Sequence, residues 1–169
     1  MKLKIFLPLA IILGIKTFLF AQNILSPDVC KKTIYDFYSQ QAILDSIRIC
    51  IGDQAKKDSV SNWISIMNKM YNITDSISAY YCTNKIREEA KEWFFEGFDR
   101  YTNNGFFDKS ALKTLSIEKY DMKLNTYKVS YTYTFYYSYF EQYSDTILVT
   151  LVDENGRYLI DEITGIDEE

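Results

Sequence analysis

The chain has 169 residues, enough for one domain with its own apolar core, and carries a formal net charge of −4 with no histidine. That balance, without a basic run or a basic face, argues against nucleic acid or an anionic membrane surface as partner. The missing histidine removes the commonest general base and the commonest metal ligand together.

Residues 1–22 have the plan of an exported leader: Lys2 and Lys4, an apolar run over residues 5–20, and the small Ala21 before a cleavage point. Pro8, Gly14 and Lys16 interrupt a run that would need about 20 apolar residues to cross a bilayer, so no stable membrane anchor is expected. The expectation is an exported protein, periplasmic or extracellular after cleavage, with a single domain over residues 23–169. In an oxidising compartment one pair among Cys30, Cys50 and Cys82 can form a disulfide. The spacing does not choose the pair, and buried small hydrophobes are the competing reading. Three thiols without histidine make a poor metal site, and no cofactor is expected.

Ser26-Pro27-Asp28 signals a helix start, followed by an apolar stripe of Cys30, Ile34, Phe37, Tyr38 and Leu44 that Gly52 is expected to stop. A polar linker is predicted over residues 53–57. Asp58 or Ser59 then opens a second helix with Val60, Trp63, Ile64, Met67, Met70 and Tyr71 on one side, a stripe that reads as core rather than as a cofactor box. Asn72-Ile73-Thr74 is formally a glycosylation sequon. A short helical turn from Thr74 or Asp75 and a third helix capped by Thr83, with Ile86, Ala90, Trp93 and Phe94 inward, complete the helical half. Asn103-Asn104-Gly105 marks a loop, after which Phe106 and Phe107 are expected to tuck under a sheet.

The remainder reads as consecutive antiparallel hairpins, with strands predicted over residues 112–120, 126–140, 145–152 and 157–163. Asn155-Gly156 signals the last turn, and residues 141–144 are read as the turn before the third strand. The second strand alternates most strongly, with Tyr127, Val129, Tyr131, Tyr133, Phe135, Tyr137 and Tyr139 on one face against Lys128, Ser130, Thr132 and Thr134 on the other. At that length it should bend, curving the sheet. The fold class is therefore α+β, with N-terminal helices packed on a curved four-stranded antiparallel sheet.

Two stretches add a resemblance. Residues 78–86, with Tyr80, Tyr81, Thr83 and Ile86, look like the turn between the second and third helices of the nuclear transport factor 2-like superfamily, the cystatin-like cone. Residues 149–163, closing on Tyr158, Leu159 and Asp161, look like its last hairpin. The likeness covers roughly residues 27–163 and lies nearest to small exported bacterial domains of unknown function. It implies a cone of sheet around helices, often with a cavity at the wide end, serving isomerases, dehydratases and many non-catalytic binding domains. Fold alone does not choose among these.

Tyr133, Tyr137, Tyr139 and Tyr143 are the candidate ligand-binding residues, because the sheet should outrun the helices there and leave phenols accessible. The expected function is a non-catalytic binding or protein-interaction domain, taking a small apolar, peptide or glycan ligand or a protein partner, a second copy of the chain included. Two alternatives stand beside it. One is a cavity enzyme of isomerase or dehydratase type with Asp99, Asp121 or Asp161 as base and a tyrosine as acid. The other is a toxin-neutralising immunity protein acting through its acidic charge.

Overall fold

Ser26, Pro27 and Asp28 open helix α1 (Pro27–Ala55) as predicted: the Ser26 carbonyl accepts from Cys30 N at 3.0 Å, and Asp28 sits in the first turn. The computed structural model describes residues 24–55, 63–96, 99–102, 107–137 and 139–166. The predicted leader, the predicted start of the second helix and the Asn103-Asn104-Gly105 loop lie outside those residues. The predicted stripe of α1 is buried at every position: Cys30, Ile34, Phe37, Tyr38 and Leu44. Gly52 does not stop the helix, which runs on through part of the predicted linker to Ala55. One interior glycine costs only about 1 kcal/mol relative to alanine, too little to end a long helix by itself.

Helix α2 (Trp63–Tyr81) is continuous where the sequence suggests a break near Asn72-Ile73-Thr74. The polar side chains that signal a break bond back into the helix: Thr74 Oγ1 donates to Met70 O at 3.0 Å, Ser76 Oγ to Asn72 O at 2.7 Å and Ser78 Oγ to Thr74 O at 2.9 Å. The sequon thus sits in mid-helix with its threonine buried. Ile64 faces solvent, so the predicted apolar stripe of this helix is narrower than the sequence suggests.

At the corner between α2 and α3 (Asn84–Glu96), Cys82 bridges Ile160 in parallel and Thr83 N donates to Ile160 O at 2.9 Å. Thr83 caps α3 with its carbonyl, which accepts from Arg87 N at 3.3 Å, while its hydroxyl donates to Asp161 Oδ1 at 2.9 Å. Ile86 and Ala90 are buried, with Trp93 and Phe94 half-buried. A 3-10 turn (Arg100–Thr102) leads towards Phe107, which is buried as predicted, and α4 (Lys109–Thr114) follows. Asp108 caps α4, accepting from Ser110 N at 2.8 Å and Ala111 N at 2.9 Å. Residues 112–114 are therefore helical and not strand. The first strand is confined to β1 (Ser116–Lys119), and Thr114 Oγ1 takes over beyond it, accepting from Thr132 N at 2.8 Å.

The sheet is a meander in the order β1-β2-β3-β4, antiparallel throughout, with β2 (Thr126–Tyr137), β3 (Tyr139–Glu154) and β4 (Arg157–Gly165). It curls without closing, and the helices pack on one side of it, which bears out the predicted α+β architecture. The chain reverses between Tyr137 and Tyr139, earlier than predicted, so residues 141–144 belong to β3. The register of that hairpin keeps odd residues opposite odd: Tyr127 faces Val149, Val129 faces Ile147, and Tyr131 faces Asp145. The odd face is the core face, with Tyr127, Val129, Tyr131, Ile147, Val149 and Leu151 all buried. The even face carries hydroxyl pairs across the strands, Thr126 with Thr150 at 2.9 Å and Ser130 with Thr146 at 3.2 Å. A bulge between Thr150 and Leu151 shifts the β3–β4 register. Asn125, at φ 52°, accepts Leu151 N on its carbonyl and Leu25 N on Oδ1, tying the approach to α1 to the sheet. The predicted Asn155-Gly156 turn has both residues at positive φ, 57° and 81°, as a type I′ hairpin requires.

Cys30 and Cys82 are both free thiols, buried, and their pKa values are raised by that burial. The small-hydrophobe reading holds for these two, and the side chain of Cys50 lies outside the described residues.

Candidate ligand-binding site

The core face of β2 and β3 carries a column of aromatic rings from the centre of the core towards the β2–β3 reversal. Phe37 and Tyr38 of α1 meet edge to face at 5.2 Å, Tyr38 meets Phe107 at 4.9 Å, and Phe107 meets Tyr131 at 4.8 Å. The column continues through Tyr133, 6.3 Å from Tyr131, to Tyr143, which stacks on Tyr133 at 5.8 Å and 23°. Accessibility rises along it: Tyr38 is fully buried, Tyr131 is 2% exposed, Tyr133 is half-buried, and Tyr143 is 44% exposed.

The inner rings are conventionally satisfied, since Tyr38 Oη donates to the Tyr101 carbonyl at 2.8 Å. Further out the polar groups stop matching. Tyr131 and Asp145 are cross-strand partners on the same face, yet Tyr131 Oη and Asp145 Oδ2 are both buried and neither has a hydrogen-bond partner among the described residues. Gln41 Nε2, on α1 one turn beyond Tyr38, is a third such atom. A buried polar group without a partner costs about 1–3 kcal/mol, so two on cross-strand partner residues call for a reason.

Electrostatics set the strip apart further. Burial raises the Asp145 carboxyl above the ordinary aspartate range, opposed by a hydrogen bond with Tyr133, its diagonal neighbour across the strands. Burial, and then the charge of Asp145, raises the Tyr131 and Tyr133 phenols, so both stay protonated. The charge of Asp99 acts on Tyr131 in the same direction. Tyr143 Oη donates to Glu141, the next residue outward on the same face, and its pKa is raised by that bond.

Of the four candidate residues, the structure brings Tyr133 and Tyr143 into contact as cross-strand partners. Tyr137 and Tyr139 are partners beside the reversal, and their side chains lie outside the described residues. The three candidate bases do not share a site. Asp161 is held by Thr83 and by Lys85 Nζ at 3.5 Å, Asp121 is exposed in the β1–β2 connection, and Asp99 accepts Tyr101 N at 2.9 Å. The carboxylates that do join the tyrosines, Asp145 and Glu141, fall in segments the sequence reading places at a strand start and in a turn. A shallow depression along α2, lined by Ile64, Asn68, Lys69 and Asn72 among others, draws its described lining from that helix alone. Among the described residues there is no cluster of three or more metal-ligating side chains, and no helix is long and apolar enough to cross a membrane.

No protein-family pattern and no curated protein matches the chain. Among solved structures it is similar to a protein of unknown function from Bacteroides thetaiotaomicron, at a TM-score of 0.53 and 23% identity, over 81% of this chain and 89% of that one. At that identity the likeness speaks to the fold alone, which is shared along nearly the whole length of the neighbour.

Proposed function

We propose that this is an exported, non-catalytic ligand-binding domain of the nuclear transport factor 2-like class, whose site is the strip Tyr131, Asp145, Tyr133 and Tyr143. The observation that carries this reading is the two buried, unpartnered atoms, Tyr131 Oη and Asp145 Oδ2, on residues that are cross-strand partners where the aromatic column approaches solvent. Groups kept for a ligand are left unsatisfied without it, at a cost to stability that binding returns. Stacked Tyr133 and Tyr143 supply a flat apolar surface beside them, the composition expected of a small-molecule site. The export half of the proposal rests on the leader-like residues 1–22, and the class on the two stretches near Tyr81 and Tyr158, which the fold brings together at the Thr83–Ile160 contact.

The test is Tyr131→Phe, followed by urea unfolding. The hydroxyl has no partner, so its removal is expected to leave stability unchanged or raise it by about 1 kcal/mol. A loss of more than about 1 kcal/mol would show that the hydroxyl serves the fold and would remove the main support for a site here.

One observation favours a second reading. The hydrogen bond between Asp145 and Tyr133 places a carboxyl of raised pKa beside a phenol, the pairing a proton-shuttling isomerase or dehydratase needs. In that reading Asp145 replaces Asp99, Asp121 and Asp161 as the base. Tyr133→Phe separates the two, because a binding surface keeps most of its affinity without this hydroxyl whereas a proton relay loses its turnover.

A further inference from the structure

We infer that the ligand of this strip is an organic ammonium ion, a primary amine with an aliphatic body; the inference rests on the binding role just proposed and names its chemistry. Two carboxylates, Asp145 and Glu141, stand on the same face of β3 two and six residues outward of Ile147, and the charge of Asp99 reaches Tyr131 from the helical side. The groups around them on the described part of that face are phenols: Tyr131 and Tyr133 on β2, and Tyr143 between the two carboxylates on β3. The basic residue of the same strand region, Lys128, lies on the opposite face. Arg100, the cation whose field reaches Tyr38, is already paired with Glu89.

Acidic groups against aromatic faces select a cation over a neutral ligand for two reasons. A carboxylate oxygen accepts and does not donate, so the unpartnered Asp145 Oδ2 calls for a donor, and an ammonium group brings three with a full charge. Tyrosine faces attract cations through the ring quadrupole, and the stacked Tyr133–Tyr143 pair presents such faces beside the carboxyl. The buried Tyr131 oxygen is a second acceptor within the same strip. A sugar or an apolar ligand could use the rings but would leave the carboxylates without a counter-charge. An anion would meet repulsion.

The experiment is a titration of the folded protein followed through the ring resonances of Tyr131, Tyr133 and Tyr143 by NMR. The probes are n-butylammonium, a neutral alcohol of comparable size, n-pentanol, and methyl β-glucoside. The expected result is that n-butylammonium shifts all three rings with an affinity at least about ten-fold above that of n-pentanol, a difference of 1.4 kcal/mol or more. Asp145→Asn should remove that preference, and Glu141→Gln, at an exposed position, should reduce it in a protein whose fold is undisturbed. If n-pentanol or the glucoside binds the three rings as well as the ammonium ion, the cation assignment is overturned while the binding role stands. If no probe moves these rings, both fall.

Discussion

Phe37→Ala is expected to destabilise the protein by about 3–5 kcal/mol, a large fraction of the stability of a domain this size. Phe37 is fully buried and joins α1 to the 3-10 turn and to the end of α2. Its ring meets Tyr38 at 5.2 Å, Tyr101 of the 3-10 turn at 5.3 Å and Tyr81 at the end of α2 at 5.9 Å. Alanine leaves a cavity that these rings cannot collapse into, since Tyr38 is fixed by its bond to the Tyr101 carbonyl and Tyr101 is itself buried. Urea unfolding followed by tyrosine fluorescence measures it. A loss below about 1 kcal/mol would mean that the rings do not form a close-packed cluster.

Arg100→Ala is expected to cost about 2 kcal/mol, and Arg100→Lys is expected to recover little of it. The Arg100 side chain is only 11% exposed, and one guanidinium serves three partners. Nε and Nη2 both reach Glu89 Oε2 at 2.9 Å, Nη1 donates to the Ile163 carbonyl of β4, and Cζ lies 5.1 Å from the centroid of the Trp93 ring. The cost stays below that of a fully buried pair because Glu89 is 37% exposed and can rehydrate. Lysine offers no fork for the carboxylate and no planar group for the indole. Thermal unfolding of both variants checks it, and a lysine variant as stable as the original protein would refute this account of the pin between α3 and β4.

The sequence showed which face of the sheet is covered but not where the strand turns. The hairpin pairs Tyr137 with Tyr139, so odd residues stay opposite odd residues along both strands and the register carries no break in the alternation. No glycine, proline or asparagine marks the site, and the polar residues 141–144 drew the predicted turn towards themselves. Asp145 was concealed by the same displacement. As the first residue of a strand it looks like a turn residue, but the odd series Glu141, Tyr143, Asp145, Ile147 continues the face of Tyr131 and Tyr133. The helix breaks expected at Gly52 and Asn72 failed for a related reason. Single local signals yield to a helix whose buried residues pack along its length, as Cys30 to Leu44 do on α1. By contrast, Asn155-Gly156 was legible because positive φ at consecutive residues admits few alternatives.

On the proposed binding role, Asp145 is a desolvated carboxyl held ready for a ligand and not a member of a closed structural pair. Its described environment includes Tyr131 opposite, Tyr133 on the diagonal, Tyr143 and Glu141 outward on its own strand, and the field of Asp99 at Tyr131. A carboxyl with a raised folded pKa adds stability below the ordinary aspartate value and loses that contribution as pH rises through the raised one. Carboxyl-detected NMR titration of Asp145 measures this directly. The predicted midpoint lies above the ordinary aspartate range and falls when n-butylammonium is added, whereas a midpoint at or below that range, unmoved by the amine, would contradict the account.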